Sequence, residues 1–302
     1  MNTFSRTAIT MIGLLMTFSL HAQQSLSDSI NALAAAARGH IGTFMQDLET
    51  GDSTTTNDQD HYPMQSVFKF PLALYVLDQV DKGKLSLTTP IDIRKSEWAR
   101  MYSPLLNKYP KDHFTLTVEE VLAPTVSSSD NVGCDLLFRL IGGPAKVNDY
   151  IHGLGIRDIS IVYTEMGMAA DWNNQYSNWC RPSAMGRLLR RFYKGELLSK
   201  ASTSLLLKWM TESTSPRRIG GMLPEGTVVA HKTGTSNTNA DGVTAATNDV
   251  GIITLPNGHH LVMVVFVADA KASDDIRLRT ISQIGLAGYN HYTGLTFSKK
   301  IW

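Results

Sequence analysis

This 302-residue chain has few cysteines, a net charge close to zero and few of the residue patterns that bind metals. Its two cysteines, Cys134 and Cys180, form no C-x-x-C pair, and no His-x-His pattern occurs. The adjacent His259 and His260 follow an Asn-Gly turn, which favours a solvated strand end over a metal site. A formal charge of +1 gives the molecule no overall field to attract nucleic acid or an anionic membrane. We therefore expect neither as a partner.

Long apolar runs are also lacking, apart from one near the N-terminus. There Arg6 precedes an apolar stretch from Ala8 to Leu20, and Ala22 offers a cleavage point. A run of about 13 residues is too short to span a bilayer. Residues 1–22 are therefore predicted to be a signal peptide rather than an anchor. We expect a monomer that is periplasmic or secreted and has no membrane contact after signal removal.

Export would expose both cysteines to an oxidising compartment. Cys134 and Cys180 could then form one disulfide or remain two small buried side chains. Their spacing alone does not decide between these alternatives.

Apolar periodicity and turn residues place strands at both ends of the chain and helices in the middle. Helices are predicted at 27–38 and 274–289, strands at 42–48, 227–232, 250–255 and 261–268, a mainly helical region at 84–211, and an irregular segment at 160–182. The order predicts an α/β (α+β) fold, with an antiparallel sheet from both chain ends flanked by helices, plus an all-helical lobe.

The same order predicts the domain boundaries. Residues 23–62 and 212–302 would form the α/β lobe, and residues 63–211 the helical lobe. A cleft between two lobes is a natural position for an active site.

Ser66 and Lys69 stand three residues apart at the start of an apolar helical run. Residues at i and i+3 are neighbours on one helix face, so the amine of Lys69 can reach the hydroxyl of Ser66. A serine becomes a nucleophile only with a base in hydrogen-bond reach, and a lysine can be that base if its pKa is lowered. By itself, the pair is more typical of a polar helix start.

Ser129-Asp130-Asn131 precedes a predicted helix. The Ser129 hydroxyl could relay a proton to a leaving group, and the Asn131 side chain could hold a substrate amide. All three residue types are also favoured helix caps. Glu165, in the irregular segment, could activate water or simply be solvated.

Lys232-Thr233-Gly234-Thr235 ends a predicted strand. The lysine supplies a cation, the threonines supply hydroxyl donors, and the glycine allows close backbone approach. This set suits an anionic group on a substrate that lies along the strand edge. An ordinary strand end is the alternative.

Taken in order, Ser-x-x-Lys, Ser-Asp-Asn, Glu and Lys-Thr-Gly resemble the class A serine β-lactamases. The resemblance extends over essentially the whole mature chain, with supporting stretches at 102–104, 223–227 and 244–251. It implies the two-lobed fold, a small-molecule β-lactam substrate, hydrolysis of penicillins and cephalosporins, and no metal or organic cofactor.

The resemblance also implies the catalytic roles. Ser66 would attack the lactam carbonyl, with Lys69 as the acylation base or its hydrogen-bond partner. Ser129 would pass a proton to the lactam nitrogen, and Glu165 would activate the deacylating water. The backbone N–H groups of Ser66 and Thr235 would form the oxyanion hole.

Further residues would bind the substrate by the same resemblance. Asn131 would hold the acylamide side chain, and Tyr102 would wall the site. Lys232 and Thr233 would meet the substrate carboxylate. Arg218 falls where an extended-spectrum branch carries an arginine that helps bind that carboxylate, although a solvated surface arginine is the alternative.

Three positions depart from the usual class A pattern. Ala169 stands where most members carry an asparagine that helps hold the water, so Asn173 or Asn174 would hold it, or turnover would be slower. Tyr163 replaces a common arginine, and Asp135 replaces an asparagine that braces the loop. A second carboxylate beside Glu165 could raise the pKa of Glu165.

These departures resemble the PER/VEB-type extended-spectrum branch of class A, which implies activity on bulky oxyimino cephalosporins. The alternatives are a penicillin-binding DD-peptidase or a non-hydrolysing β-lactam sensor, which share the acylation residues. Glu165 argues against a peptidase, and the absence of a membrane partner segment argues against a sensor.

Overall fold

The computed structural model describes residues 26–98 and 101–294, so the predicted signal peptide lies outside the described residues. Within these ranges, no helix is long and apolar enough to cross a membrane.

Ten strands form three antiparallel sheets in the described chain. In chain order the strands are β1 (His40–Asp47), β2 (Ser53–Thr56), β3 (Tyr62–Pro63), β4 (Pro90–Arg94), β5 (His113–Thr117), β6 (Ile159–Ser160), β7 (Trp179–Cys180), β8 (Val229–Thr235), β9 (Thr244–Thr254) and β10 (His260–Ala270).

Ten α-helices surround the sheets within the described ranges. Residues 26–34 are helical and are named α1. The others are α2 (Lys69–Asp81), α3 (Pro104–Asn107), α4 (Val118–Ser127), α5 (Asn131–Ile141), α6 (Pro144–Gly153), α7 (Glu165–Ala170), α8 (Pro182–Tyr193), α9 (Lys200–Thr211) and α10 (Asp274–Thr293). Short 3₁₀ helices cover Ala35–Ala37, Gln65–Phe68, Lys95–Trp98 and Trp172–Ser177.

The main sheet has the strand order β2-β1-β10-β9-β8 and is antiparallel throughout. Two of its strands come from the start of the chain and three from the end, which confirms the predicted fold class. The predicted hairpin around Asn257-Gly258 joins β9 to β10, and Gly258 adopts the positive φ of 83° that favours glycine at such a turn.

The central strand β10 is buried on both faces because alternate side chains enter different cores. Val262, Val264 and Phe266 face the core shared with the middle helices, whereas Met263 and Val265 face the core shared with α1 and α10. Side chains alternate across a strand, so one apolar run can serve two layers.

The middle of the chain differs from its prediction in two places. The region 84–211 is mainly helical, but β4 and β5 form a two-stranded sheet there, which the sequence analysis missed. The segment 160–182 is not irregular, because it contains α7 and the 3₁₀ helix Trp172–Ser177.

Cys134 and Cys180 are both free and fully buried. Of the two alternatives left open by their spacing, the structure has the pair of buried thiols.

Candidate active site

The start of α2 brings the first predicted pair together. The 3₁₀ helix Gln65–Phe68 runs directly into α2, so Lys69 lies one turn after Ser66. The Nζ of Lys69 donates to the Oγ of Ser66 across 3.0 Å. Gln65, just before Ser66, has a φ of 47°. This left-handed conformation is costly for a non-glycine residue and is frequent at active sites.

Lys69 is fully buried and has four close oxygen neighbours. Besides Ser66, its Nζ contacts the Oδ1 of Asn131 at 2.6 Å, the backbone oxygen of Ser129 at 2.8 Å, and the Oε1 of Glu165 at 2.8 Å. The Oγ of Ser66 also donates to the Oε1 of Glu165 across 3.2 Å. The hydroxyl, the amine and the carboxylate therefore form one connected hydrogen-bonded group.

The Ser-Asp-Asn stretch caps a helix and also brings two side chains to Lys69. Asp130 caps α5 by accepting from the backbone N–H of Gly133 at 2.7 Å, and its carboxylate also accepts from Ser103. Because the cap holds the backbone, Ser129 (φ 58°) and Asn131 on either side can both reach Lys69.

The end of β8 places a second lysine against Ser129. The Nζ of Lys232 donates to the Oγ of Ser129 across 2.8 Å. Complete burial, followed by the nearby charge of Lys69, holds the pKa of Lys232 well below its usual value. A Cβ at Gly234 would lie 2.3 Å from the backbone oxygen of Met64. The predicted close backbone approach at this glycine is therefore present, and it places β8 against the backbone just before Ser66.

Arg218 is buried rather than solvated. Its Nη1 donates to the backbone oxygens of Gly234 at 2.9 Å and Asn248 at 2.6 Å, and its Nη2 donates to the Oγ1 of Thr235 at 2.5 Å. Burial lowers the pKa of Arg218 from its usual value. The surface alternative is wrong, and the guanidinium orients the Thr235 hydroxyl at the cavity wall.

Glu165 is the first residue of α7 and is held by Asp135 on α5. The Asp135 carboxylate accepts the backbone N–H groups of Glu165 at 2.7 Å and Met166 at 2.9 Å. Burial raises the pKa of Asp135 to about 6, and the nearby charge of Glu165 acts in the same direction. The buried acid at this position therefore braces the segment that carries Glu165.

Asn178 fixes the other end of that segment. Its fully buried side chain accepts from the backbone N–H groups of Val162 and Tyr163 and donates to the Tyr163 carbonyl. These three bonds join residues 162 and 163 to residue 178, on either side of Glu165 in the sequence.

Neither asparagine expected to hold the water lines the cavity that contains Ser66 and Glu165. Asn173 is exposed, and the Asn174 amide donates to the backbone oxygen of Gly167 at 2.8 Å. Instead Gln175 is buried, and its Oε1 accepts from the Nε2 of Gln65 at 2.6 Å. Both glutamines line the same cavity as Ala169.

The cavity has a volume of about 480 Å³ and opens above Ser66. Five predicted site residues line it, namely Ser66, Tyr102, Asn131, Glu165 and Thr235. Lys69, Lys232 and Thr233 lie buried beneath its floor, with Ser129 half-buried between the two lysines. The structure thus brings the predicted residues into one site.

Sequence reasoning missed Gln65, Gln175, Asn178 and Asn248. The amide of Asn248 donates to the backbone oxygens of Pro63 at 2.8 Å and Met64 at 3.1 Å, just before Ser66. Asn248 lies in a stretch that carries the family resemblance, but a lone asparagine has no pattern that reveals its partner.

Comparison with known proteins gives the family. The sequence matches the family described as "Beta-lactamase enzyme family" over residues 25–292. It is 43% identical to β-lactamase VEB-1 of Pseudomonas aeruginosa, covering 89% of this chain and 90% of the relative. It is 40% identical to the extended-spectrum β-lactamase PER-1 of the same organism, covering 96% of each.

Solved structures similar to this one are also β-lactamases. A β-lactamase from Chitinophaga pinensis is 52% identical, with a TM-score of 0.86 over 89% of this chain and 99% of that one. The TLA-1 extended-spectrum β-lactamase is 45% identical, with a TM-score of 0.87 over 90% and 99% of the two chains. The chain therefore belongs to the β-lactamase enzyme family, among the class A serine enzymes.

Proposed function

We propose that this enzyme hydrolyses the β-lactam amide bond of penicillins and cephalosporins, including bulky oxyimino cephalosporins, through a serine acyl-enzyme. The observation that carries the proposal is the Oγ of Ser66, which lies 3.0 Å from the Nζ of Lys69 and 3.2 Å from the Oε1 of Glu165 beneath an open cavity. A nucleophile with two proton acceptors is suited to both halves of an acyl-transfer cycle.

In acylation, the Oγ of Ser66 bonds to the lactam carbonyl carbon and gives its proton to Lys69 or Glu165. The C–N bond of the ring then breaks, and the nitrogen takes a proton from Ser129. The Ser129 hydroxyl lies 2.8 Å from the Nζ of Lys232 and 3.5 Å from that of Lys69, so either amine can replace the proton. The backbone N–H groups of Ser66 and Thr235 stabilise the oxyanion.

In deacylation, Glu165 takes a proton from a water molecule that attacks the ester carbonyl. The bond to the Oγ of Ser66 breaks, and the serine recovers its proton. Glu165 suits this role because it is buried, lines the cavity and contacts Ser66. Gln65 and Gln175 line the cavity beside Ala169, so we assign the water-holding role to their amides.

The substrate carboxylate would bind at the end of β8, near Lys232, Thr233 and Thr235. Arg218 would act through Thr235, because its Nη1 and Nη2 both donate to protein oxygens, one of them the Oγ1 of Thr235. Asn131 would contact the acylamide, and the exposed ring of Tyr102 would form the rim. The similarity to PER-1 and TLA-1, both named extended-spectrum β-lactamases, supports an extended spectrum, as does the open cavity.

The decisive experiment mixes the purified enzyme with a chromogenic cephalosporin and follows absorbance past one equivalent. We expect sustained turnover. A single stoichiometric burst would instead indicate the peptidase or sensor alternative. For the extended spectrum, kcat/KM is compared between an oxyimino cephalosporin and a simple penicillin, and a value at least a thousandfold lower for the former would contradict it.

Export is part of the proposal. Residues 1–22 would direct the chain to the periplasm or outside the cell as a monomer. Mass spectrometry of the secreted or periplasmic protein should find an N-terminus at Gln23. An intact N-terminus in that fraction would contradict the predicted cleavage.

A further inference from the structure

A second group of chemistry-bearing side chains lies at the opposite end of the main sheet from the active site. Asp47 ends β1, Glu49 lies in the following turn, and His259 precedes β10. In register, Asp47 and Leu261 align with the Val229 end of β8, six residues from Thr235. At about 3.3 Å per residue, this separates the group from the catalytic cavity by roughly 20 Å along the strands.

These three side chains converge. One ligand atom from each of Asp47, Glu49 and His259 lies within 4.8 Å of the other two. The Nδ1 of His259 is 2.8 Å from the Oδ2 of Asp47. In the described part of the chain, this is the one such convergence of three or more histidine, cysteine or carboxylate side chains.

The surrounding contacts orient the ligand atoms. The Oδ1 of Asp47 accepts the backbone N–H groups of Glu49 at 2.9 Å and Thr50 at 2.8 Å, which leaves Oδ2 directed at His259. His260 holds the Glu49 carboxylate from two sides, through its backbone N–H at 2.7 Å and its Nδ1 at 3.0 Å. Such hydrogen bonds to ligating carboxylates are typical of metal sites, where they fix ligand orientation.

We propose that Asp47, Glu49 and His259 form a Zn²⁺ site, with His260 positioning Glu49. Zinc accepts one imidazole nitrogen and two carboxylate oxygens at about 2.0–2.2 Å and completes a tetrahedron with water. Calcium and magnesium select all-oxygen sites, whereas imidazole suits zinc and neighbouring transition metals.

The three side chains are close enough to bind one ion, and two of them are accessible to solvent. Ligand atoms of tetrahedral zinc lie roughly 3.4 Å apart, given such bond lengths. Asp47 is buried at 4% exposure, so it provides a fixed ligand, whereas Glu49 and His259 are 37% and 33% exposed. Small rotations of the two exposed side chains bring all three atoms onto one ion, with room for a water molecule.

A bound ion would cross-link the β1–β2 turn to the β9–β10 hairpin. One backbone bond already joins these turns, from the N–H of Leu48 to the carbonyl oxygen of His260 at 2.9 Å. Because the ion binds only the folded arrangement, it would raise the melting temperature in proportion to the logarithm of zinc concentration. At this distance from Ser66 it would leave hydrolysis unchanged.

The test uses the tag-free mature enzyme after dialysis against a chelator. Zinc chloride and magnesium chloride are titrated calorimetrically into the wild type, His259→Ala and Glu49→Gln. The matched control is His113→Ala, because His113 pairs with the single carboxylate of Asp92 and belongs to no such convergent group in the described chain. Hydrolysis of a chromogenic cephalosporin by each variant verifies that it is folded.

We expect one zinc per wild-type molecule, no magnesium binding, and a melting temperature raised by roughly 5 °C at a hundredfold excess over the dissociation constant. His259→Ala and Glu49→Gln should each weaken zinc binding at least about tenfold, while His113→Ala should bind as the wild type does. Absence of saturable zinc binding, or wild-type affinity in both cluster variants, would overturn the proposal, and neither outcome bears on β-lactam hydrolysis.

Discussion

The Nζ of Lys69 has more hydrogen-bond acceptors around it than it has N–H groups to donate. Four oxygens, from Ser66, Ser129, Asn131 and Glu165, lie within 3.0 Å of its Nζ, whereas an ammonium group has three donors. A charged Lys69 therefore leaves one acceptor unserved, and a neutral Lys69 can accept the Ser66 proton instead. Because the Oε1 of Glu165 contacts both Ser66 and Lys69, both side chains lie within reach of the Ser66 proton in the proposed acylation step.

Replacing Glu165 distinguishes its two possible roles, as proton acceptor in acylation and as the base that activates water in deacylation. In Glu165→Ala, Lys69 can still accept the serine proton, but no carboxylate remains to activate water. We expect deacylation of a penicillin to slow by at least about a hundredfold, the usual contribution of a positioned base. Intact-protein mass spectrometry should then show the acyl-enzyme within seconds of mixing.

Glu212→Ala is the matched control, because Glu212 is an exposed glutamate paired with Lys208 on the protein surface. It should turn over as the wild type does. Unchanged steady-state hydrolysis by Glu165→Ala would remove this residue from the mechanism.

Asp135 gives the fold a pH dependence of known sign. Its pKa is raised from 3.8 to about 6 in the folded protein, so folding favours its protonated form. The resulting stability is fully present below the unfolded value and is lost as pH rises through about 6. In Asp135→Asn this titration is absent, so the free energy of unfolding of the variant, relative to wild type, should increase by roughly 2 kcal/mol from pH 4 to pH 7.

Urea unfolding of both proteins at several pH values measures this difference. The absolute stability of Asp135→Asn can be lower at every pH, because an amide offers one oxygen to the two N–H groups that the carboxylate now binds. A difference that stays constant from pH 4 to pH 7 would contradict the prediction.

At the scale of elements, sequence patterns predicted long units and missed short ones. The strand β10 and the helix α10 have sustained apolar runs, so their positions were predicted closely. For β9 only the second half was predicted, because its first residues, from Thr244 to Asp249, are mostly polar. The pair β4 and β5 has five residues in each strand and is stabilised by a partner distant in sequence. The helix α7 has six residues, too few for an apolar period to distinguish it from a loop.

The segment 160–182, which carries Glu165, is held by the buried side-chain amide of Asn178, and this kind of contact is also what made the segment hard to predict. Asn178 satisfies two backbone N–H groups and one carbonyl of residues 162 and 163, which lie outside the helices of this segment. Such partners are defined by the folded chain and leave no local sequence pattern. The four motifs were predictable because their spacing reflects chemistry, whereas the residues that hold them in place depend on tertiary packing.

Asn178→Ala should therefore loosen this segment. It leaves two partly buried N–H groups without acceptors, and each such loss costs up to about 1–3 kcal/mol. We expect the free energy of unfolding to fall by roughly 2–5 kcal/mol, and deacylation to slow more than acylation, because Glu165 lies in this segment. Denaturant unfolding and pre-steady-state kinetics measure the two effects.

Asn178→Asp is the informative companion, since its carboxylate still accepts both N–H groups but cannot donate to the Tyr163 carbonyl. Its stability should fall between those of the wild type and Asn178→Ala. If Asn178→Ala slowed acylation and deacylation equally, the segment would not act through Glu165 alone.

At the scale of the whole molecule, the main sheet both positions the site and joins the two cores. Its strand β8 carries Lys232 and Thr235, and Asn248 on β9 holds the backbone before Ser66. The division into an α/β lobe and a helical lobe at residues 63 and 211 stays a prediction. The physical coupling between the cores is visible in β10, whose successive residues enter opposite layers.

Val264 and Val265 test this coupling as a matched pair. Both are fully buried neighbours on β10, but Val264 packs in the core of the middle helices and Val265 in the core beneath α10. Either substitution by alanine removes two buried methyl groups and should cost about 2 kcal/mol of stability. Because one strand serves both cores, we expect each variant to unfold in a single transition, with tryptophan fluorescence and far-UV circular dichroism coincident in urea. Two separated transitions in Val265→Ala, with hydrolysis retained after the first, would instead mean that the core beneath α10 melts independently of the site.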